Sequence, residues 1–320
     1  KNLSLECMKL FKIHQNDLAI DIGSNDGNLL SNFKEYCKVL GITPELIGNI
    51  AKKKGIPTII DYFDDNSAIK IKKKYGNARF IFATNVFAHI DNVKSVLKNI
   101  KKLLTPDGVF VSESHYFADL IKTCQFDTLY HEHLRYYTLT CLKQFFENEG
   151  LHVIYAKKIN THGGSIRIYA SKANIKIPNN NVNKIVSQEK KLLNIKNLNK
   201  FKKLVIQSKV ENIKMLGSIL KKNKKIYGIS APSRSTTLIN YFGINEDMLD
   251  CILEIKGSYK IGKYVPGTKI PIYEETKKKL NQADYLYLLS WHIAPELIKN
   301  IRKNGYKGKF IIPLPSPKIV

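Results

Sequence analysis

The sequence is short of several things. No apolar run approaches the ~20 residues that a membrane-spanning helix needs, although hydrophobic residues make up 43% of the 320 positions. The expectation is a chain with ample core and no membrane partner. Residues 1–10 mix polar and apolar side chains and do not read as a signal peptide. The first residue is Lys rather than Met, which reads as a trimmed piece of something longer. Cysteine is sparse and scattered: Cys7, Cys37, Cys124, Cys141 and Cys251 include no Cys-x-x-Cys pair. An odd, dispersed set argues against a disulfide framework and against a zinc site built from these thiols, and it points to the reducing cytoplasm. Acid is in deficit, with 27 Asp and Glu against 52 Lys and Arg and a formal net charge of +25. Such a surface can draw nucleic acid, anionic membrane or phosphorylated small molecules. The excess is mostly lysine in runs such as Lys52-Lys53-Lys54 and Lys72-Lys73-Lys74, which read as solvated faces.

What is present is an alternation of strands and helices. Asp17 to Ile22, Pro57 to Ile60, Phe80 to Ala83 and Val109 to Ser112 read as buried strands. Asn28 to Tyr36 and Val93 to Leu104 read as helices, and Leu151 to Tyr155 and Ser165 to Ala170 as two further strands. Residues 181–223 turn lysine-rich with apolar positions at helical spacing, which predicts one or two connecting helices. The alternation restarts at Lys225 to Ser230 and continues through Leu249 to Ile255, Asp284 to Ser290 and Phe310 to Ile312. The predicted class is α/β: a Rossmann-like parallel sheet over residues 1–175, a helical connector over 176–223, and a smaller α/β domain over 224–320. Ligands in such sheets sit at the carboxyl ends of the strands.

Two segments carry chemistry. Asp21-Ile22-Gly23-Ser24-Asn25-Asp26-Gly27 follows a predicted strand and precedes a predicted helix. Asn25 stands where the dinucleotide fingerprint has its middle glycine, so Gly-x-Gly-x-x-Gly is absent. An acid at the strand end followed by separated glycines is instead the usual pattern for S-adenosylmethionine (SAM), with a plain strand–turn–helix corner as the alternative. Asp61 ends a later strand where a carboxylate can accept from an adenine amino group. Asn85 ends the next strand, and the Pro-Pro box of nucleic-acid amino-methyltransferases does not follow it. The second segment is Tyr130-His131-Glu132-His133. In an extended chain Tyr130 and Glu132 share one face and His131 and His133 the other, unless a turn intervenes. Imidazole suits a general base at neutral pH. The spacing is not His-Glu-x-x-His, so a zincin site is excluded. Other metal ligation and a structural hydrogen-bond cluster stay open beside catalysis.

With these motifs in hand, the chain closely resembles the sugar C-methyltransferases that methylate C3 of dTDP-linked 4-keto-deoxysugars. The resemblance runs through Asp21 to Gly27, Asn85 to His89, Phe126 to His133, His162 to Arg167, Asn240 to Ile244, Gly262 to Thr268 and Pro313 to Pro315. It implies a class I methyltransferase domain followed by a second nucleotide-sugar domain, SAM as cofactor, a nucleotide-diphosphate sugar as partner, and neither nucleic acid nor metal in this chain. It implies that His133 removes the C3 proton and that Tyr130, Glu132 and His89 contact the sugar. The implied SAM residues are Asp21, Gly23, Asn25, Asp26, Gly27, Thr43, Asp61 and Asn85. For the nucleotide sugar they are Ser230, Ser233, Arg234, Lys263 and Tyr264, with Arg234 at a helix start as a diphosphate ligand.

This sequence departs from the family's pattern in places. The amino-terminal zinc-binding domain of the family is not in this sequence. Thr43 stands where the family has the acid that binds the SAM ribose; losing a charge-assisted bond costs ~1.5–3 kcal/mol, so weakened SAM binding is expected. Ser230 replaces a glycine, and His292 follows Trp291 where asparagine is common. A homologue that binds a nucleotide sugar without methylating it is therefore the alternative, with a nucleic-acid methyltransferase the more distant one.

Overall fold

The computed structural model describes residues 2–320. Strand β1 (Leu18–Ile22) is apolar except at Asp21, and all five of its residues are buried. It lies inside a seven-stranded sheet with β2 (Lys38–Thr43), β3 (Thr58–Ile60), β4 (Ala78–Thr84), β5 (Leu104–His115), β6 (His152–Ile159) and β7 (Ser165–Ser171). The order is β3-β2-β1-β4-β5-β7-β6. The pairs from β3 to β5 are parallel, and β7 runs antiparallel to both of its neighbours. Near-continuous apolar strands are what a sheet covered on both faces requires. On one face Phe80 and Phe82 stack against Phe33 and Phe11. On the other, Phe110 packs against Phe87 and Phe146. Burying each such ring stabilises by ~1.5–3 kcal/mol. This is the Rossmann-like sheet that the sequence predicts, with one antiparallel strand added.

One expected element did not form. The predicted helix at Asn28 to Tyr36 is a single 3-10 turn, Leu30–Asn32, among other turns. Its polar side chains bond locally instead: Ser31 Oγ donates to the Gly27 carbonyl at 2.9 Å and Asn32 Nδ2 to the Asn28 carbonyl at 2.8 Å. Such bonds offer the backbone an alternative to the helix.

A second sheet, in the order β10-β9-β8-β11-β12-β13, is built from β8 (Ile226–Ile229), β9 (Cys251–Glu254), β10 (Ile272–Glu274), β11 (Tyr285–Leu288), β12 (Lys309–Ile312) and β13 (Lys318–Ile319). All its pairs are parallel except β12 with β13. Alternation along β11 sends Leu286 and Leu288 into one core and Tyr287 into the other. The connector is two helices, Val182–Leu192 and Ile195–Leu220. Buried Asn212 on the longer one is fully used, donating to Pro313 and Ser208 carbonyls and accepting from Tyr287.

The compact units differ from the linear division expected. One comprises the chain up to Phe117 together with Leu134–Leu192; the other comprises Ala118–His133 with Leu193–Val320. The shorter connector helix stays with the first unit because buried Glu189 accepts from Tyr116 Oη at 2.8 Å and from the Leu139 and Thr140 amides at 2.6 and 2.8 Å. The Tyr-His-Glu-His stretch lies in the second unit, for reasons given below.

Candidate active site

In the first unit, Asp21 closes towards the end of β1. It is buried, and its Oδ1 meets no donor among the described residues. Burial, with the Glu113 carboxylate adding repulsion, pushes its carboxyl up to about 8. Glu113 itself is held by Arg167 Nε at 2.5 Å, and Arg167 also binds Glu6 at 2.9 Å. The Ser24 hydroxyl is buried in the loop beyond Asp21 and also has no partner among the described residues. Buried polar atoms without partners are rare and costly. An ammonium group is the kind of ligand that such a carboxylate accommodates, so these residues fit the amino-acid end of SAM.

The rest of the cradle is only partly as expected. Gly23 and Gly27 both have left-handed backbones, φ +75° and +79°. A Cβ at Gly23 would lie 2.6 Å from Val86, and one at Gly27 would lie 2.6 Å from Ile56 and 2.9 Å from Ala51. Their glycine requirement therefore comes from backbone conformation and protein packing. Asn25 (φ +46°) and Asn85 (φ +58°) are non-glycine residues in the same left-handed region, where strain clusters at functional sites. A cavity of about 500 Å3 is bounded by Asn28, Thr84, Asn85, Glu113 and Arg167, among others. Asp26 is paired with Lys54 at 2.9 Å, a bond that holds its carboxyl below the usual range. Asp61 is exposed just past β3, its Oδ1 accepting from the Tyr62 amide at 2.8 Å. Thr43 is only 2% exposed, and its methyl packs towards Gly48. The nearest acid along the chain, Glu45, is exposed in the turn that follows. His89 is exposed in the 3-10 turn Phe87–His89 after β4.

In the second unit, a turn does intervene in Tyr-His-Glu-His. The His133 amide donates to the Tyr130 carbonyl at 3.0 Å. This brings together Tyr130 and His133, with rings 4.4 Å apart and Tyr130 Oη 3.2 Å from His133 Nε2. His133 Nδ1 lies 3.0 Å from the Thr128 carbonyl. A carbonyl only accepts, so Nδ1 carries the proton and Nε2 is the basic nitrogen. Burial raises the Tyr130 phenol above its ordinary value, and Glu132 adds to the shift, so Tyr130 keeps its proton at neutral pH. His131 and Glu132 are exposed.

Beside this turn lies a cavity of about 580 Å3, a volume suited to a small-molecule ligand. Tyr130, His131, Ser233, Tyr259, Lys263 and Tyr264 are among the residues that line it. Of the five residues expected to hold a nucleotide sugar, Ser233, Lys263 and Tyr264 therefore meet at one cavity, and Ser230 and Arg234 are not on its wall. Ser230 sits at φ +67°, a conformation that suits the glycine it replaces, and its hydroxyl pairs with Ser290 at 2.8 Å. Arg234, on the helix Ser233–Phe242, is 6% exposed and forks onto Asp127 at 2.8 and 2.7 Å. Where the sequence suggests a diphosphate ligand, the structure has the Arg234 guanidinium buried against a carboxylate. Lys260, whose ammonium donates to the Ala231 carbonyl, joins Lys263 as a cation on the cavity.

Sequence reasoning assigned no role to Asp127 or Asn240. Asn240 donates to the Pro266 carbonyl at 2.9 Å and anchors the loop carrying Lys263 and Tyr264. A Cβ at Gly267 (φ +81°) would lie 2.3 Å from Asn240 Oδ1. That contact links the two motifs Asn240 to Ile244 and Gly262 to Thr268, and their pairing was the available signal.

A family model described as the C-methyltransferase C-terminal domain matches residues 160–315. Another, described as a methyltransferase domain, matches residues 7–156. The C-methyltransferase NovU of Streptomyces niveus is 29% identical, the alignment taking in 98% of this chain and 76% of that protein. Similar solved structures include the YcgJ protein of Bacillus subtilis, 14% identical with TM-score 0.40, over 54% of this chain and 100% of that one. A S-adenosylmethionine-dependent methyltransferase of Clostridium acetobutylicum is 13% identical with TM-score 0.40, over 53% of this chain and 88% of that one. These two structural likenesses are too slight to bear on function.

Proposed function

Because the chain is a methyltransferase that carries the C-methyltransferase C-terminal domain, we propose that it transfers a methyl group from SAM to C3 of a nucleotide-linked 4-keto-deoxysugar. The observation that carries the reading is the Tyr130–His133 pair with its fixed tautomer. A ketone at C4 acidifies the neighbouring C3–H. His133 Nε2 takes that proton as general base, and the Thr128 carbonyl supports the imidazolium that results. Tyr130, kept protonated, donates to the oxygen on which negative charge develops. Glu132 and His89 are exposed and are proposed as sugar contacts. SAM, when bound, supplies the electrophilic methyl. Asp21 is proposed to receive its ammonium group, with Asn25 and Asn85 shaping the backbone around its amino-acid end and Asp61 accepting from its adenine.

The cavity bounded by Tyr259, Lys263 and Tyr264 is proposed to take the nucleotide diphosphate. Aromatic faces suit a base, and lysines suit phosphate charge. Binding of the nucleotide sugar without methyl transfer remains the alternative, favoured by the burial of Thr43. Isothermal titration with SAM separates the two: the transfer reading expects binding heat, and its absence would sink that reading. Replacing His133 with Asn should abolish methyl transfer with SAM affinity unchanged; retained turnover would remove His133 as the base.

A further inference from the structure

The turn that presents Tyr130 and His133 has little regular structure of its own. Its preceding segment is a 3-10 turn, Phe126–Thr128, and the residues from Gln125 to His133 are held to one another by local bonds: backbone turns, Thr128 Oγ1 donating to the Gln125 carbonyl at 2.9 Å, and the contacts of the His133 ring with Thr128 and Tyr130. These local bonds are joined by a clamp from the rest of the unit. Asp127 is 0% exposed. Its carboxylate accepts three bonds from elsewhere in the unit: Arg234 Nε and Nη2 at 2.8 and 2.7 Å, and Trp291 Nε1 at 2.8 Å. The guanidinium lies 5.1 Å from the centre of the Trp291 ring, and its Nη2 also reaches Gln125 Oε1 at 3.4 Å. On either side, Phe126 packs on Phe242 at 5.5 Å and Thr237 Oγ1 donates to the Leu129 carbonyl at 3.2 Å.

Thr128 follows Asp127 directly. Its carbonyl fixes the tautomer of His133, so a rotation of that one peptide unit would release Nδ1 and leave the identity of the basic nitrogen unset. We propose that Arg234, acting with Trp291 through Asp127, is a positioning residue that orients the Thr128 carbonyl and thereby fixes which nitrogen of His133 is basic. This rests on the reading of His133 as the base, and it assigns to this helix-start arginine a task other than gripping phosphate. A bidentate fork is needed because a planar guanidinium holds a carboxylate in one orientation, whereas an ammonium is a point charge.

The test uses the full chain with Arg234→Lys, which keeps the charge and loses the fork, and Trp291→Phe, which keeps a ring and loses one donor. Three quantities are read: the 15N spectrum of the His133 ring, the affinity for thymidine diphosphate, and the split between kcat and KM. In the native chain the spectrum should show the Nδ1-protonated tautomer. Arg234→Lys should give a tautomer mixture and lower kcat by ~10–100-fold, as expected for a displaced catalytic group. KM and thymidine diphosphate affinity should stay within about threefold, since no contact to that ligand is removed. An unchanged His133 spectrum combined with a tenfold or greater loss of nucleotide affinity would overturn the proposal and restore Arg234 as a phosphate ligand. If Arg234→Lys does not fold, Trp291→Phe decides: a shifted His133 spectrum supports the clamp and an unmoved one overturns it. The ring spectrum needs no turnover, so failure of the methyl-transfer reading would show in kcat alone and leave the clamp standing or falling on its own measurement.

Discussion

Two buried aspartates, one in each unit, show opposite ways of keeping a carboxylate out of water. Asp127 accepts three bonds from Arg234 and Trp291. Asp21 lies towards the end of a central strand, with one oxygen unpartnered among the described residues and a carboxyl pushed up to about 8. A buried charge is tolerated when it is paired and hydrogen-bonded; without that it gives up its charge. The first arrangement is complete within the chain and therefore structural. The second leaves an oxygen without a donor among the described residues, which is the observation behind the proposal that it receives a ligand. The same residue type thus reads as scaffold or site according to where its donors come from.

The sharpest way to break this comparison is to convert both to asparagine. Asp127→Asn leaves Arg234 buried and unneutralised and should destabilise the chain by about 3–5 kcal/mol, as read from urea unfolding at pH 7. Asp21→Asn should fall within about 1 kcal/mol of the native chain or stabilise it, because an amide has no ionisation to suppress. Equal losses would show that Asp21 has an internal partner after all.

The pH dependence separates them next. Folding raises the Asp21 carboxyl from its ordinary 3.8 to about 8, so the folded state binds this proton more tightly than the unfolded one. By linkage, its contribution is fully present below about pH 4, declines as pH rises, and is gone above the folded value. Ligand-free protein should lose stability across that window, and Asp21→Asn should flatten the loss. A flat native profile would contradict the assignment.

A smaller effect is expected at Gly267→Ala. The added methyl meets Asn240 Oδ1 in a left-handed backbone, costing about 1–3 kcal/mol and loosening the loop of Lys263 and Tyr264. Thermal unfolding and thymidine diphosphate titration would register both effects. Smallest is Ser230→Gly. Relief of a left-handed serine, about 1 kcal/mol, opposes the loss of the Ser290 bond, about 1 kcal/mol, so stability should change by less than either figure.

Much of the fold was legible in the sequence. Long apolar strands at regular spacing place themselves, because burial on both faces permits few other readings. The misplaced element was the helix after Gly27, where Ser31 and Asn32 bond to nearby carbonyls. Composition alone gives those side chains no fixed direction. The candidate site was legible as a set of residues rather than as a geometry. Tyr130 and His133 were marked by their chemistry, yet period-two spacing paired His133 with His131, and only the turn pairs it with Tyr130. Arg234 carried the signature of a phosphate ligand, and Asp127, 107 residues earlier, claims it.

The sequence by itself determined the α/β class, the two sheets and the titratable residues available for proton transfer, since these follow from local periodicity and side-chain type. The tertiary structure decided which of those residues are bound within the chain and which are left for a ligand. That choice depends on donors and acceptors far apart along the chain, and on burial, which sets what an unpaired charge costs.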